Sequence, residues 1–121
     1  MYTVLRFQCV KPERTLQDLG ERLQRCTYIK YEGHDKGVAN RISCTVATED
    51  VWDDHIATVM QFLELSKELL EWARSNGVEL SFDIAIEPDD YDGILGSFDF
   101  PHQLLTVLGE SGIDLTISVY R

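Results

Sequence analysis

Two segments in the second half of the chain alternate between apolar and polar residues, and this alternation restricts the fold more than any other feature. Residues 78–87 and 113–120 both place an apolar side chain at every second position. Successive side chains of a strand point to opposite faces of a sheet, so each of these strands has one buried face and one face in contact with solvent. A parallel sheet covered on both faces needs continuous apolar strands instead. We therefore predict a mixed or antiparallel sheet with helices packed on one face.

The remaining elements follow from periodicity and from the positions of proline and glycine. A chain of 121 residues, 44% of them hydrophobic, can bury one core. No linker divides the sequence, so we predict a single α+β domain over residues 1–121, with about five strands and one long central helix. The five strands are predicted at Tyr2–Cys9 and at residues 28–32, 40–47, 78–87 and 113–120. The three helices are predicted at Glu13–Arg25 and at residues 49–76 and 101–110.

The long helix predicted over residues 49–76 is apolar on two arcs of its surface. At about 100° per residue, one arc collects seven apolar residues between Trp52 and Ala73. The second arc lies beside it and consists of Phe62, Leu65, Leu69 and Trp72. A surface helix needs a single apolar stripe, so both arcs must be covered. The second arc is covered either by another helix of the same domain or by another molecule, in a homodimer or a partner complex.

Charge is distributed unevenly along the chain. Residues 1–41 hold eight Lys and Arg against five acids, which gives +3, whereas residues 42–121 hold three against sixteen, which gives −13. A negative field repels nucleic acid and anionic membranes and accelerates encounter with a basic protein. We therefore expect no nucleic-acid partner and no membrane partner. A basic protein partner is favoured, with solubility as the alternative reason for the acidity.

The first acidic segment is predicted to be a loop after the strand at residues 78–87. Its residues are Glu87, Asp89, Asp90, Tyr91 and Asp92. The spacing does not fit the calcium loop of an EF-hand, because Asp99 would occupy the twelfth position, where that loop needs Glu. The carboxylates are either simply solvated or part of a surface that recognises a partner, since aromatic side chains beside them are typical of interfaces. An occasional divalent cation is a third alternative.

The second acidic segment is predicted to begin the long helix. It contains Glu49, Asp50, Trp52, Asp53 and Asp54. Acids at a helix N-terminus interact favourably with the helix dipole, and Thr48 or Asp50 could cap the helix. The alternatives are a partner-binding face that includes Trp52, or a metal or catalytic centre at His55, which lacks a second histidine nearby.

No motif for catalysis or cofactor binding occurs in the chain. There is no G-x-S-x-G sequence, no glycine-rich phosphate loop and no cysteine adjacent to a histidine. The three cysteines, Cys9, Cys26 and Cys44, are odd in number and widely spaced, so we expect reduced thiols. We expect a binding protein rather than an enzyme, with no catalytic residue, no cofactor and no metal. The absence of a signal-peptide pattern or an apolar span leads us to expect a cytoplasmic protein.

The order of elements after Arg41 resembles that of a family of small acidic bacterial α/β domains of uncharacterised function. Its features here are a strand, a long Leu-rich helix, an alternating strand, a short helix and a last strand that reads I-D-L-T-I-S-V-Y. The chain is also similar in type to the immunity proteins of contact-dependent growth inhibition and other polymorphic toxin systems. That similarity implies a protein that binds and neutralises a cognate toxin domain, basic and possibly a nuclease. The alternative is a non-catalytic structural or homodimeric housekeeping domain.

Overall fold

Four strands form one mixed sheet in the part of the chain that the computed structural model describes, which is residues 1–9, 13–29, 40–87 and 98–120. The strands are β1 (Tyr2–Cys9), β2 (Arg41–Ala47), β3 (Val78–Ile86) and β4 (Ile113–Val119). Their order in the sheet is β2-β1-β3-β4. The central strand β1 is antiparallel to both β2 and β3, whereas β3 and β4 are parallel.

Four helices complete the described architecture. They are α1 (Glu13–Arg25), α2 (Trp52–Leu65), α3 (Lys67–Ser75) and α4 (His102–Glu110). The α+β class and the mixed sheet are therefore confirmed. In the described part of the chain, none of the helices has both the length and the hydropathy that crossing a bilayer requires.

The strand register agrees with the alternation in the sequence, but the buried face predicted for residues 113–120 is only partly confirmed. Ile117 and Val119 are 45% and 57% exposed, because β4 is an edge strand. Leu5 of β1 lies opposite Cys44 on one side and Phe82 on the other, and Phe82 lies opposite Leu115 of β4. These side chains share one face of the sheet and join a single apolar cluster with buried leucines from α1, α3 and α4, such as Leu19. The cluster provides the main favourable free energy of folding, because it removes large apolar side chains from water.

The other face of the sheet carries a polar network centred on β3. Asp83 is only 8% exposed and accepts hydrogen bonds from Arg6 Nη1 at 3.0 Å and from Ser118 Oγ at 2.8 Å. A hydrogen bond with Tyr120 raises the pKa of the Tyr2 hydroxyl. Five side chains of this face are therefore in cross-strand contacts, which help to fix the relative positions of β1, β3 and β4. They are Tyr2, Arg6, Asp83, Ser118 and Tyr120.

The single long helix predicted over residues 49–76 is not confirmed, because the helix is interrupted at Ser66. The φ and ψ angles of Ser66 are −96° and 3°, and a ψ near 0° departs from the α-helical value of about −42°. The hydroxyl of Tyr28, which follows α1, donates a hydrogen bond to the Leu65 carbonyl oxygen at 3.1 Å. A side chain inserted into the helical hydrogen-bond ladder is a recognised cause of bending. The apolar periodicity continues across Ser66, so the sequence pattern gave no sign of the break.

Two further predictions differ from the structure: the start of the long helix and the fifth strand. The long helix begins at Trp52 rather than at residue 49, and its N-cap is Val51, whose side chain makes no capping hydrogen bond, so Thr48 and Asp50 do not cap it. The fifth predicted strand, residues 28–32, is not confirmed. Tyr28 lies in a turn and Ile29 in a bend, and residues 30–32 lie outside the described residues.

Arg74, near the end of α3, connects this helix to the end of α4. Its Nη1 donates to the carbonyl oxygen of Glu110 at 2.9 Å, one of the last carbonyl groups of α4, which lack a partner within the helix. The guanidinium group lies over Gly112, where an added Cβ would be 2.7 Å from Nε. Gly112 also has a positive φ of 63°, so both the backbone and the arginine require glycine there.

Alanine substitutions at three glycines should separate these two requirements. Gly109 lies in α4 with nothing near its Cβ position, so Gly109→Ala should stabilise the protein by about 0.5–1 kcal/mol. Gly77 has a φ of 75° and open space, so Gly77→Ala should cost about 1–2 kcal/mol from strain alone. Gly112→Ala should cost about 1 kcal/mol more than Gly77→Ala, because Arg74 must move and lose its hydrogen bond. Urea unfolding measures all three.

The control is the same Gly112→Ala substitution in an Arg74→Ala background. There the extra cost should disappear, and the two positive-φ glycines should become equivalent. An extra cost that persists without the arginine would contradict this account of position 112.

Candidate functional site

The sheet topology brings the two acidic segments of the sequence to the same end of the molecule. The start of β1 lies beside the end of β2, where Thr3 is opposite Ala47, and beside the end of β3, where Tyr2 is opposite Ala85. Because β1 is antiparallel to both neighbours, the chain leaves β2 and β3 at one common end of the sheet. Residues 48–54 follow β2 there, and Glu87 follows β3.

Trp52, the first residue of α2, holds a third segment against this end. Its indole Nε1 donates to the Asp99 carbonyl oxygen at 2.9 Å. The rings of Phe98 and Phe100 pack edge-to-face on the indole, with ring centroids 5.0 and 5.2 Å away. Edge-to-face pairs of this kind stabilise beyond the area they bury. The chain that enters α4 is therefore fixed to the start of α2.

We use the name acidic end for the carboxylates that these contacts collect. Five of them are exposed and Glu49 is half-buried. The Asp50 side chain is 91% exposed and lies 3.7 Å from the Met1 amino group. The members of the acidic end are Glu49, Asp50, Asp53, Asp54, Glu87 and Asp99. Together with Trp52, they form an acidic surface with an aromatic side chain in its midst.

A buried hydrogen-bond chain lies beneath the acidic end. His55 is fully buried, and its Nδ1 is 2.9 Å from the Glu49 carbonyl oxygen. A carbonyl oxygen only accepts hydrogen bonds, so Nδ1 carries a hydrogen. The other ring nitrogen, Nε2, is 2.6 Å from the hydroxyl of Thr3, which is also fully buried. In the neutral ring, the Thr3 hydroxyl therefore donates to Nε2, and both ring nitrogens are satisfied.

The burial of His55 argues against the catalytic alternative considered for it. The Trp52 ring is stacked nearly parallel to the imidazole, with a 4° angle between planes and 6.2 Å between centroids. A general base must reach the proton that it removes, and this imidazole is enclosed. Among the described residues, no group of three or more His, Cys, Asp or Glu side chains is placed to hold a metal ion.

The Glu49 carboxylate ends the hydrogen-bond chain at the surface. The Thr58 hydroxyl donates to its Oε1 at 2.6 Å, and the Thr48 backbone N–H donates to its Oε2 at 3.2 Å. Hydrogen bonds to the charged form favour ionisation, and the bond from Thr58 is the main reason that the pKa of Glu49 lies below its usual value of 4.5. Glu49 thus joins β2 to the second turn of α2.

Four of the residues predicted to bind a partner lie outside the described residues: Asp89, Asp90, Tyr91 and Asp92. The other six predicted partner-binding residues, from Glu49 to Asp54 and at Glu87, lie at or beside the acidic end. Thr3 and Thr58 were not among the predicted residues. The sequence does contain one signal for Thr3, since it is the one polar residue on the otherwise apolar face of β1.

The four residues of the possible dimer face have different environments. Phe62 and Leu69 are buried, and Phe62 meets Tyr28 edge-to-face with 6.2 Å between ring centroids. The Arg22 guanidinium of α1 lies 4.2 Å from the centroid of the Trp72 ring, within the range of a cation–π interaction. Leu65 is 54% exposed. Much of this arc is therefore in contact with α1 and the turn that follows it.

Comparison with known proteins returned no match to this chain, whether among protein-family models, curated proteins or solved structures.

Replacing Thr58 with valine should remove the main cause of the low Glu49 pKa. In Thr58→Val, the pKa of the Glu49 carboxyl should rise toward 4.5, as followed by a carbon-detected NMR titration. A depressed pKa in the folded state stabilises the protein above the pKa of the unfolded chain, and this stabilisation is lost as the pH falls through the folded-state pKa. The stability difference between wild type and variant should therefore be largest near neutral pH and shrink in acid.

The matched control is Thr106→Val, at an exposed position of α4. It should leave the Glu49 titration unchanged. An unaltered Glu49 pKa in Thr58→Val would show that the hydroxyl does not stabilise the carboxylate.

Proposed function

We propose that this protein is an immunity-type inhibitor that binds a cognate, basic toxin domain through its acidic end and keeps it inactive in the cytoplasm. The observation that carries the proposal is the convergence of acidic segments that are distant in the sequence. Residues 49–54 and Glu87 follow strands that end at the same end of the sheet, and the Trp52 indole holds the backbone of Asp99 beside the start of α2.

The chemistry of this surface fits a basic protein better than a small molecule. Exposed carboxylates attract cationic side chains over several ångströms and raise the rate of encounter. Association with steering of this kind reaches about 10⁸–10⁹ M⁻¹s⁻¹ at low salt, which suits an inhibitor that must act before its target does damage. Trp52, which is half-buried, supplies the type of aromatic side chain that dominates many interfaces.

The buried hydrogen bonds beneath the acidic end hold its backbone in place before a partner binds. The bonds from Thr3 to His55 and from His55 to Glu49 hold the start of α2 in one position before a partner arrives. A surface already in its bound conformation loses less entropy on association. The carboxylates of Asp50, Asp53 and Asp54 are therefore presented from a fixed backbone.

Neutralising three carboxylates of the acidic end should weaken recognition. We expect the variant Asp50→Asn, Asp53→Asn, Asp54→Asn to associate about tenfold more slowly at low salt, with a flatter dependence of the rate on salt concentration. The partner for the experiment is the C-terminal domain of the protein encoded directly upstream. Stopped-flow fluorescence of the two tryptophans, Trp52 and Trp72, measures the rate. The proposal expects this domain to be basic and toxic to cells that lack the present chain.

The control variant removes the same amount of charge elsewhere. Glu68→Gln, Glu79→Gln, Asp114→Asn changes three exposed acids, two of them at the opposite end of the sheet. It should associate almost as fast as wild type. An equal loss of association rate in the two variants would mean that net charge, rather than the acidic end, determines recognition. Failure of the wild type to bind the upstream domain, or to protect cells from it, would overturn the proposal.

A further inference from the structure

A groove lies between the interrupted helix α2–α3 and helix α4. Its volume is about 760 Å³. Apolar side chains line it, among them Met60, Leu63, Leu70 and Val107. The groove is separate from the acidic end, and it is formed by the arc of α2–α3 that lies beside the possible dimer face.

Charged residues follow one another with alternating sign along the α2–α3 wall of the groove. They are Glu64, Lys67, Glu71 and Arg74, spaced by three, four and three positions, so they lie on one side of the helix. Lys67 and Arg74 are the only cationic side chains between residues 42 and 120. Among the described residues, no ion pair of 4.0 Å or less forms between these four side chains. Both cations of an otherwise acidic region therefore line the same apolar groove.

The four charges run negative, positive, negative, positive along the helix. A second copy of the helix in the opposite direction therefore places an opposite charge across from each of them. If a second copy of α2–α3 lies antiparallel, with a two-fold axis near position 69, Glu64 of one copy faces Arg74 of the other. Lys67 then faces Glu71 in the same way. By symmetry each contact occurs twice, so all four charges of the α2–α3 wall meet an opposite charge. Glu110 of α4 also lines the groove and lies outside this pairing. A parallel arrangement would place like charges opposite one another.

We infer that the groove is the contact surface of an antiparallel homodimer, with a second copy of this chain as its occupant. The wall from Ala57 to Arg74 is about 25 Å long at a rise of about 1.5 Å per residue. A contact one helix wide over this length belongs at the small end of specific interfaces. The dimer is therefore weak and depends on protein concentration, and its ion pairs make it weaker at high salt.

The inference differs from the dimer considered on Phe62, Leu65, Leu69 and Trp72, because those residues occupy the arc in contact with α1. It also does not depend on the proposed function. The acidic end remains exposed in such a dimer, which would present it twice.

A charge exchange across the two-fold axis tests the inference on the full-length protein. Sedimentation equilibrium of the wild type should show a mass that rises from 13.9 kDa toward twice that value with concentration. Lys67→Glu and Glu71→Lys should each weaken the dimer by about tenfold or more, because one substitution converts two attractive contacts into two repulsive ones. The double variant Lys67→Glu, Glu71→Lys should restore the wild-type dissociation constant.

Two controls make the result specific. Glu68→Lys changes charge on the same helix at an exposed position outside the groove, and it should leave the dissociation constant within about twofold of wild type, since exposed charges away from an interface contribute little. Thermal unfolding confirms that each variant is folded. A mass of one chain at every concentration overturns the inference. A dimer that stays intact in Lys67→Glu also overturns the inference. The same holds for a dimer that dissociates only in Leu65→Glu.

Discussion

The hydrogen bond between Thr3 and His55 joins two residues 52 positions apart and connects the centre of the sheet to the first turn of α2. Both side chains are fully buried, so neither can exchange its partner for water. A buried polar group that loses its partner costs about 1–3 kcal/mol. The position of α2 on the sheet is thus determined by a polar contact as well as by apolar packing. The polar contact specifies distance and orientation more narrowly than apolar packing does.

The rest of the acidic end depends on this contact through short steps. His55 Nδ1 donates to the Glu49 carbonyl oxygen and the Glu49 carboxylate accepts from Thr58, so two hydrogen bonds join the connection after β2 to α2. Trp52 stacks over the imidazole and holds the chain at Asp99 through its indole N–H. A change at Thr3, deep in the sheet, should therefore alter the arrangement of carboxylates at the surface.

Much of the fold was predictable because its signals are local. The alternation in β3 predicted side chains that face the core, and Val78, Leu80 and Phe82 are buried there. In β4, at the edge of the sheet, the same reasoning was right for Ile113 but wrong for Ile117 and Val119, which are exposed. The interruption at Ser66 could not be predicted in the same way. It coincides with a hydroxyl that arrives from Tyr28, 37 residues earlier than Leu65, and no pattern within the helix records that contact.

The candidate site, like the fold, was predictable only where its signals are local in the sequence. Acidic segments are visible in the sequence, but their convergence depends on the strand order β2-β1-β3-β4, which local patterns do not determine. The partners of His55 were not predicted, because they are the backbone carbonyl of Glu49, before the helix begins, and the hydroxyl of Thr3, 52 residues away. The groove could not be predicted either, because residues of α4, distant in the sequence, form its second wall.

The most direct test of this account is the tautomer of His55, measured by ¹⁵N NMR of the imidazole at neutral pH in the wild-type protein. The account predicts a hydrogen on Nδ1 that exchanges slowly with water, because Nδ1 donates to the Glu49 carbonyl oxygen in a fully buried position, and two distinct nitrogen resonances. A ring with its hydrogen on Nε2, or one that averages between tautomers as a solvated imidazole does, would contradict it.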